Sequence, residues 1–436
     1  MSNLNDKNTG VEAGRHHANE LVDFIWASPS PFHAVDEVAR RLREAGFAEF
    51  EEGEAPKGID AGSTGFIVRG GSIVAWRAGT DSPVAAGFRV AAGHTDSPNL
   101  RVKPSPDVSN EGHRQIGVEV YGGVLLHTWT DRDLGMSGRV VVKGENGPES
   151  RLFRTDAPMA RVANLAIHLN RMLHKDGLKL NKQKHMVPMV GLGSWDGFGA
   201  WMSEQLDGAE VLAWELGFHD TQKPTIGGVD EEFIFAPRLD NLGSCYPIMA
   251  AFLASEAAPH TQIMALFDHE EVGSQTYRGA RGPMLGDVMD RLIRDHAVQA
   301  EGGRSRAGAH SWMLSADMAH GVHPNYADRH EPNHKPMLGG GPVLKTHSEH
   351  RYATEAETTA RFRSACAAVG VPCQEFVNRT DLACGSTVGP MIATELGIST
   401  VDIGLPMLSM HSIREQAGTA DVAQMVAVIQ HVFEEG

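Results

Sequence analysis

Five short apolar runs each end on a histidine, an aspartate or a pair of glutamates, and this recurrence constrains the fold more than any other feature of the chain. Val90-Ala91-Ala92-Gly93 leads into His94-Thr95-Asp96-Ser97-Pro98, and Phe233-Ile234-Phe235-Ala236 into Pro237-Arg238-Leu239-Asp240-Asn241. Ile263-Met264-Ala265-Leu266-Phe267 leads into Asp268-His269-Glu270-Glu271-Val272-Gly273-Ser274, and Trp312-Met313-Leu314-Ser315 into Ala316-Asp317-Met318-Ala319-His320. The last run, Val401-Asp402-Ile403-Gly404, precedes Leu408-Ser409-Met410-His411-Ser412. Apolar runs of this length between polar residues read as strands of a largely parallel sheet covered on both faces. Ligands of such sheets bind at the carboxyl ends of the strands. The pattern therefore delivers His, Asp, Glu-Glu, Asp and His to what would be one edge of one sheet.

Two histidines, two aspartates and one glutamate suit two zinc ions, with one aspartate shared and the remaining ligands leaving positions open for water. Adjacent side chains leave the backbone in different directions, so Glu271 can hold a metal while Glu270 handles a proton. The same carboxylate and imidazole donors would accept manganese or cobalt in place of zinc. Any one of these residues alone reads as an ordinary surface or core polar group; five in series point to one site.

A net charge of -16 over 436 residues repels a nucleic-acid backbone, and no Lys/Arg block offers a local exception. No window is long and apolar enough to span a membrane, and Met1-Ser2-Asn3-Leu4-Asn5-Asp6-Lys7 lacks a hydrophobic secretory region, so the expected location is cytoplasmic. Cys245, Cys366, Cys373 and Cys384 have no zinc-finger spacing and read as reduced, structural thiols.

Along the chain, a frayed start precedes a helix over about His16 to Ala27 and a second over about His33 to Ala45. Phe66-Ile67-Val68 and Ile73-Val74-Ala75-Trp76 form a hairpin around Gly70-Gly71. Lys103-Pro104-Ser105-Pro106 marks a boundary, and between it and Glu232 none of the strand-end motifs occurs. In that interval Ile116, Val118 and Val120 alternate as in a strand, and a helix is expected from Arg161 to Leu173 with His168 beside its apolar stripe. His94 and Asp240 stand 146 positions apart, too far for a loop and about right for a domain. The expected architecture is α/β: residues 1–102 and 233–436 form one discontinuous domain, a mixed, largely parallel sheet flanked by helices, and 103–232 form an inserted β-rich domain. Later helices are expected at about Thr354 to Ala368, Thr387 to Leu396 and Asp421 to Phe433, and Arg304 to Gly308 reads as a loop.

Gly93-His94-Thr95-Asp96-Ser97-Pro98, Arg238-Leu239-Asp240-Asn241, Asp268 to Ser274, Ser315 to His320 with His323-Pro324-Asn325-Tyr326, and Met410-His411-Ser412-Ile413-Arg414-Glu415 together closely resemble, in order, the motifs of the aspartyl aminopeptidase family of two-zinc metallopeptidases. The resemblance implies a zinc-exopeptidase-like fold and removal of N-terminal Asp or Glu from peptides. It implies that Asp240 bridges the ions, that His94 and Asp317 complete one shell, and that Glu271 and His411 complete the other. Glu270 would be the general base for the attacking water, and Asp96 would orient the His94 ring by accepting its second N–H. Lys345 matches the family position that meets the substrate's acidic side chain. His168 is implicated as an active-site residue reaching a neighbouring subunit's pocket, with zinc ligation the alternative, and His323 as a contributor to that pocket. The inserted domains would pair subunits, or act as lids, within a homododecamer. Competing readings are a two-metal deacylase or carboxypeptidase, an aminopeptidase of broader specificity, and a non-catalytic assembly protein, which would have lost ligand positions that are all present here.

Overall fold

The strands that carry His94, Glu270, Glu271 and Asp317 are largely apolar because helices cover both faces of their sheet. The structure, a computed structural model, describes residues 3–53 and 59–435. The chain folds as two compact units. The first comprises the chain through Asp96, Pro224–Met410 and the chain from Glu415; the second comprises Ser97–Lys223 and His411–Arg414.

Nine strands make the larger sheet of the first unit: β1 (Ala48–Glu49), β2 (Thr64–Arg69), β3 (Ser72–Arg77), β4 (Phe88–His94), β5 (Thr261–Phe267), β6 (Trp312–Ala316), β7 (Val343–Thr346), β8 (Gln374–Val377) and β9 (Ser399–Gly404). Their order is β1-β2-β3-β5-β4-β6-β9-β7-β8. The central four, β5, β4, β6 and β9, run parallel, and Phe267 lies opposite His94, so these strands end level with one another. Alternate residues serve opposite faces. Met264 and Leu266 join the core under α1 (Asn3–Ala27), α2 (Pro31–Glu44), α3 (Leu239–Ala254) and α7 (Thr419–Glu434). Ile263, Ala265 and Phe267 join the core under α4 (Met284–Asp295) and α6 (Val388–Leu396), with α5 (Ala356–Ala368) on the first face. Each fully buried Leu, Ile or Phe there contributes about 1.5–3 kcal/mol. The α2 start follows from local chemistry: the Ser30 hydroxyl accepts the His33 N–H, and Pro31 occupies the first turn, where its missing N–H costs nothing.

The structure corrects several expectations. Phe233–Ala236 does not join the larger sheet. It pairs antiparallel with Thr225–Gly227 and Glu415–Gly418 in a separate five-stranded sheet, so Asp240 comes from that sheet and not from the common edge. An apolar run of four residues marks a buried strand but not its partners. The first helix starts at Asn3, not near His16. Arg304–Ala309 is a short helix rather than a loop, with Ala307 and Gly308 buried.

In the second unit a six-stranded antiparallel sheet surrounds its own core of Leu100, Ile116, Met136, Val140, Phe198, Leu216 and Phe218. Its strand Asn99–Asn110 runs straight through Lys103-Pro104-Ser105-Pro106; a register shift between Val102 and Asp107 takes the prolines out of the hydrogen-bond ladder. The helix expected over Arg161 to Leu173 is absent: only a 3-10 turn, Ile167–Leu169, and a short helix, Leu173–Asp176, form. Apart from Val162, which joins the core, its apolar stripe has nothing to face, for Leu169 is 75% exposed and Leu165 58%.

Candidate active site

Each cluster residue is placed by a strand or helix end. His94 closes β4 and is 1% exposed. Its Nδ1–H donates to the Asp96 backbone carbonyl at 3.0 Å, which leaves Nε2 as the basic nitrogen. Around Nε2 lie Asp240 Oδ1 at 3.3 Å, Asp317 Oδ1 at 3.6 Å and Glu270 Oε2 at 3.9 Å. One donor atom from each of His94, Asp240 and Asp317 fits within a sphere of mutual approach of 4.8 Å, and so does one from each of His94, Glu270 and Glu271.

Asp240 sits at the start of α3. The Glu415 carboxylate accepts its backbone N–H at 3.1 Å, and the Asn241 amide donates to the Ala316 carbonyl at 2.9 Å, tying the start of α3 to the end of β6. Sequence reasoning gave Glu415 and Asn241 no role; the signal available was their place inside the motifs of Asp240 and His411. Asp317 follows β6 directly, and its N–H donates to Ile403 at 2.9 Å. Glu270 and Glu271 open a 3-10 turn after β5, entered through His269 at φ 66°.

Asp96 differs from the expectation that its carboxylate takes the His94 N–H. The nearer acceptor is its backbone carbonyl, and the carboxylate, 3.5 Å from Nδ1, accepts the backbone N–H groups of Glu270 at 3.0 Å and Glu271 at 3.1 Å. One fully buried side chain thus fixes the height of both glutamates.

Lys345 is also not a surface cation. It is 2% exposed, and its ammonium donates to the Asp317 and Met318 carbonyls at 2.8 and 3.3 Å, with Asp317 Oδ2 at 3.8 Å and the Tyr352 ring beneath it. His323 caps a 3-10 turn, accepting the Asn325 N–H and packing on Tyr326. His168 is an exposed residue of the second unit. In that unit too, the His411 Nδ1–H donates to the Gly123 carbonyl at 3.0 Å, which makes Nε2 its basic nitrogen; a Cβ on residue 123 would come within 2.9 Å of that ring and force it to shift.

Electrostatics bear the stamp of crowded negative charge. Burial pushes the Glu270 carboxyl up to about 8; His94 pulls against it, and the charges of Asp317, Asp96 and Asp240 add to the rise. Burial, with Asp240 next, holds Glu271 well above the ordinary carboxylate range. Burial alone would lower His94, yet its bonds to Asp240, Asp317 and Asp96 hold it well above its usual value. Four carboxylates facing one imidazole form a hard, borderline donor set that fits zinc, whose uptake would displace protons from these groups.

Such a donor set, gathered where parallel strands end, defines an α/β enzyme that works with a divalent cation. The family model for the Aminopeptidase I zinc metalloproteases (M18) matches residues 24–433. A probable M18 family aminopeptidase 2 of Streptomyces avermitilis is 45% identical over 420 residues, 94% of this chain and 96% of the relative. Among solved structures, the cryo-EM structure of the Ape4 and Nbr1 complex contains a chain with TM-score 0.90 at 34% identity, covering 96% of this chain and 86% of that one. The mApe1 dodecamer of S. cerevisiae gives TM-score 0.84 at 28% identity, covering 95% and 96%. The chain belongs to the M18 family of zinc aminopeptidases. It is a metallo-aminopeptidase, a hydrolase that takes residues from the amino ends of peptides.

Proposed function

We propose that this enzyme carries two zinc ions and removes N-terminal Asp or Glu from peptides. Asp240 is the shared ligand, His94 and Asp317 complete one set, and Glu271 with His411 the other. When bound, the ions supply Lewis acidity that polarises the scissile carbonyl and eases loss of a proton from the attacking water. Glu270 takes that proton and passes it to the departing amine as the C–N bond breaks. Asp96 holds Glu270 and Glu271 by their backbones and the His94 ring by its carbonyl, so base and ligands keep their spacing.

The acidic side chain of the substrate is read by Lys345. An ammonium has three N–H donors, and two of those on Lys345 are used by backbone carbonyls. The third serves a carboxylate. His323 and, from a neighbouring subunit, His168 line the same pocket. Self-association, as a dodecamer in the manner of the mApe1 relative, is favoured by the exposed Leu165, Ile167, Leu169 and Met172 around His168. The inserted domain expected over 103–232, which the fold bounds as Ser97–Lys223, would serve as the dimerisation and lid domain.

The observation that carries this reading is the convergence of Asp240, Asp317 and Glu270 on His94 Nε2. Glu270→Gln tests it: kcat is expected to fall about 10²–10⁴-fold, the size of a general-base contribution, with zinc content by elemental analysis unchanged. Turnover retained in that variant removes Glu270 from its role.

A further inference from the structure

Beyond the zinc ligands, one further buried carboxylate stands on the strand that neighbours Lys345. Asp402 lies within β9 and is fully buried. Its Oδ1 accepts the Thr387 hydroxyl at 2.6 Å and its Oδ2 the Ala353 N–H at 2.6 Å, while its own N–H donates to the Thr354 hydroxyl at 2.9 Å. These three bonds tie β9 to the cap of α6 and to residues 353–354. Gly389 permits the approach of that helix, since a Cβ there would lie 2.5 Å from Asp402 Oδ2. The positive end of the helix favours a charged carboxylate at this place.

Register brings Asp402 to the lysine's side of the sheet. β7 and β9 pair antiparallel with Leu344 opposite Ile403, and both of those side chains join the core of the first face. Lys345 and Asp402, one step on, therefore project from the other face as neighbours. Tyr352 directly precedes the two residues that Asp402 holds. Its buried ring lies against the Lys345 ammonium, 5.1 Å from Nζ to the centroid, and packs with Val343 and Phe376.

We propose that Asp402 is a positioning residue for recognition of the substrate's acidic side chain, an inference that rests on the reading of Lys345 given above. Asp402 does not touch the substrate. It fixes the Tyr352 ring against the ammonium and sets a compensating charge beside it. Two N–H groups of Lys345 then stay on the Asp317 and Met318 carbonyls, and the third is kept for the substrate carboxylate. Asp402→Asn preserves size but removes the charge, and it turns an NH2 group toward either the Thr387 hydroxyl or the Ala353 N–H.

The test measures kcat and KM of the full-length, zinc-loaded enzyme for Asp-starting and Leu-starting peptides in wild type, Asp402→Asn, Lys345→Met and the double variant. Asp402→Asn is expected to cut kcat/KM for Asp-starting peptides about 10-fold more than for Leu-starting ones, the size of a charge-assisted bond, mainly through KM and with zinc content unchanged. The ratio in the double variant should equal that of Lys345→Met alone, because Asp402 acts through the lysine. Thr387→Val removes one bond and leaves the charge; it should shift the ratio the same way by less, and it decides the matter if Asp402→Asn does not fold. Equal losses for both peptides, or additive losses in the double variant, would make Asp402 a support of the fold alone and overturn the proposal. A wild-type preference for Asp that Lys345→Met leaves intact would instead overturn the reading of Lys345, and the proposal with it.

Discussion

Asp96 concentrates several demands on one carboxylate, and its substitution is correspondingly informative. An Asn there has one carbonyl oxygen to offer two backbone N–H groups, so either Glu270 or Glu271 loses its hold. Asp96→Asn is expected to weaken zinc binding by about 10–100-fold, the usual cost of removing a residue that orients metal ligands, as measured by competition with a chromophoric chelator. Affinity equal to wild type would show that the two glutamates keep their places without it. Lys345→Met should cost Asp- and Glu-starting peptides about 10-fold or more in kcat/KM, the value of a charge-assisted bond, and cost Leu-starting peptides less. An equal loss for all three would assign Lys345 to support of Asp317 alone. At this scale the residues gathered around His94 were legible because each follows an apolar run. The contacts of Asp96 and Lys345 were not. Their partners are backbone groups brought near by tertiary packing, and no side-chain pattern in the sequence encodes those.

Among elements, α7 and the entry to β5 are joined through His260, whose Nε2–H donates to the Phe433 carbonyl at 2.8 Å. Burial, aided by Arg89 and opposed by that carbonyl, lowers its pKa from 6.5 to about 4. The folded state thus resists a proton that the unfolded chain accepts. This stability is fully present above pH 6.5 and is lost as pH falls toward 4. Denaturation midpoints should drop across that window, and His260→Gln should flatten the slope; an unchanged slope would mean that other groups set the acid limb. Phe252→Ala, in α3 against Phe433, should cost about 3–5 kcal/mol by urea denaturation, since both rings are fully buried. The elements themselves were read best where burial is two-sided: β4, β5 and β6 announce themselves as largely apolar runs. Reading failed where period and environment part company. Residues 161–173 have helical spacing, but Leu165, Leu169 and Met172 face outward and no core holds them in a helix. The strand through Lys103-Pro104-Ser105-Pro106 survives its prolines by a bulge that composition cannot reveal.

For the whole molecule, metal and assembly dominate the expected behaviour. Zinc binds the folded donor set and not the unfolded chain, so stripping it with a chelator should lower the melting temperature, and restoring it should recover the loss. The proposed self-association predicts that Leu169→Asp, placing a charge on a side chain that is 75% exposed, yields smaller species by light scattering. An unchanged mass would remove that segment from the interface. The most direct measurement is the rate at which zinc-loaded enzyme releases the first residue from Asp-, Glu- and Leu-starting peptides, with and without a chelator. The account predicts chelator-sensitive release that favours Asp or Glu. Release of Leu as fast as Asp, or release that the chelator leaves untouched, would contradict it.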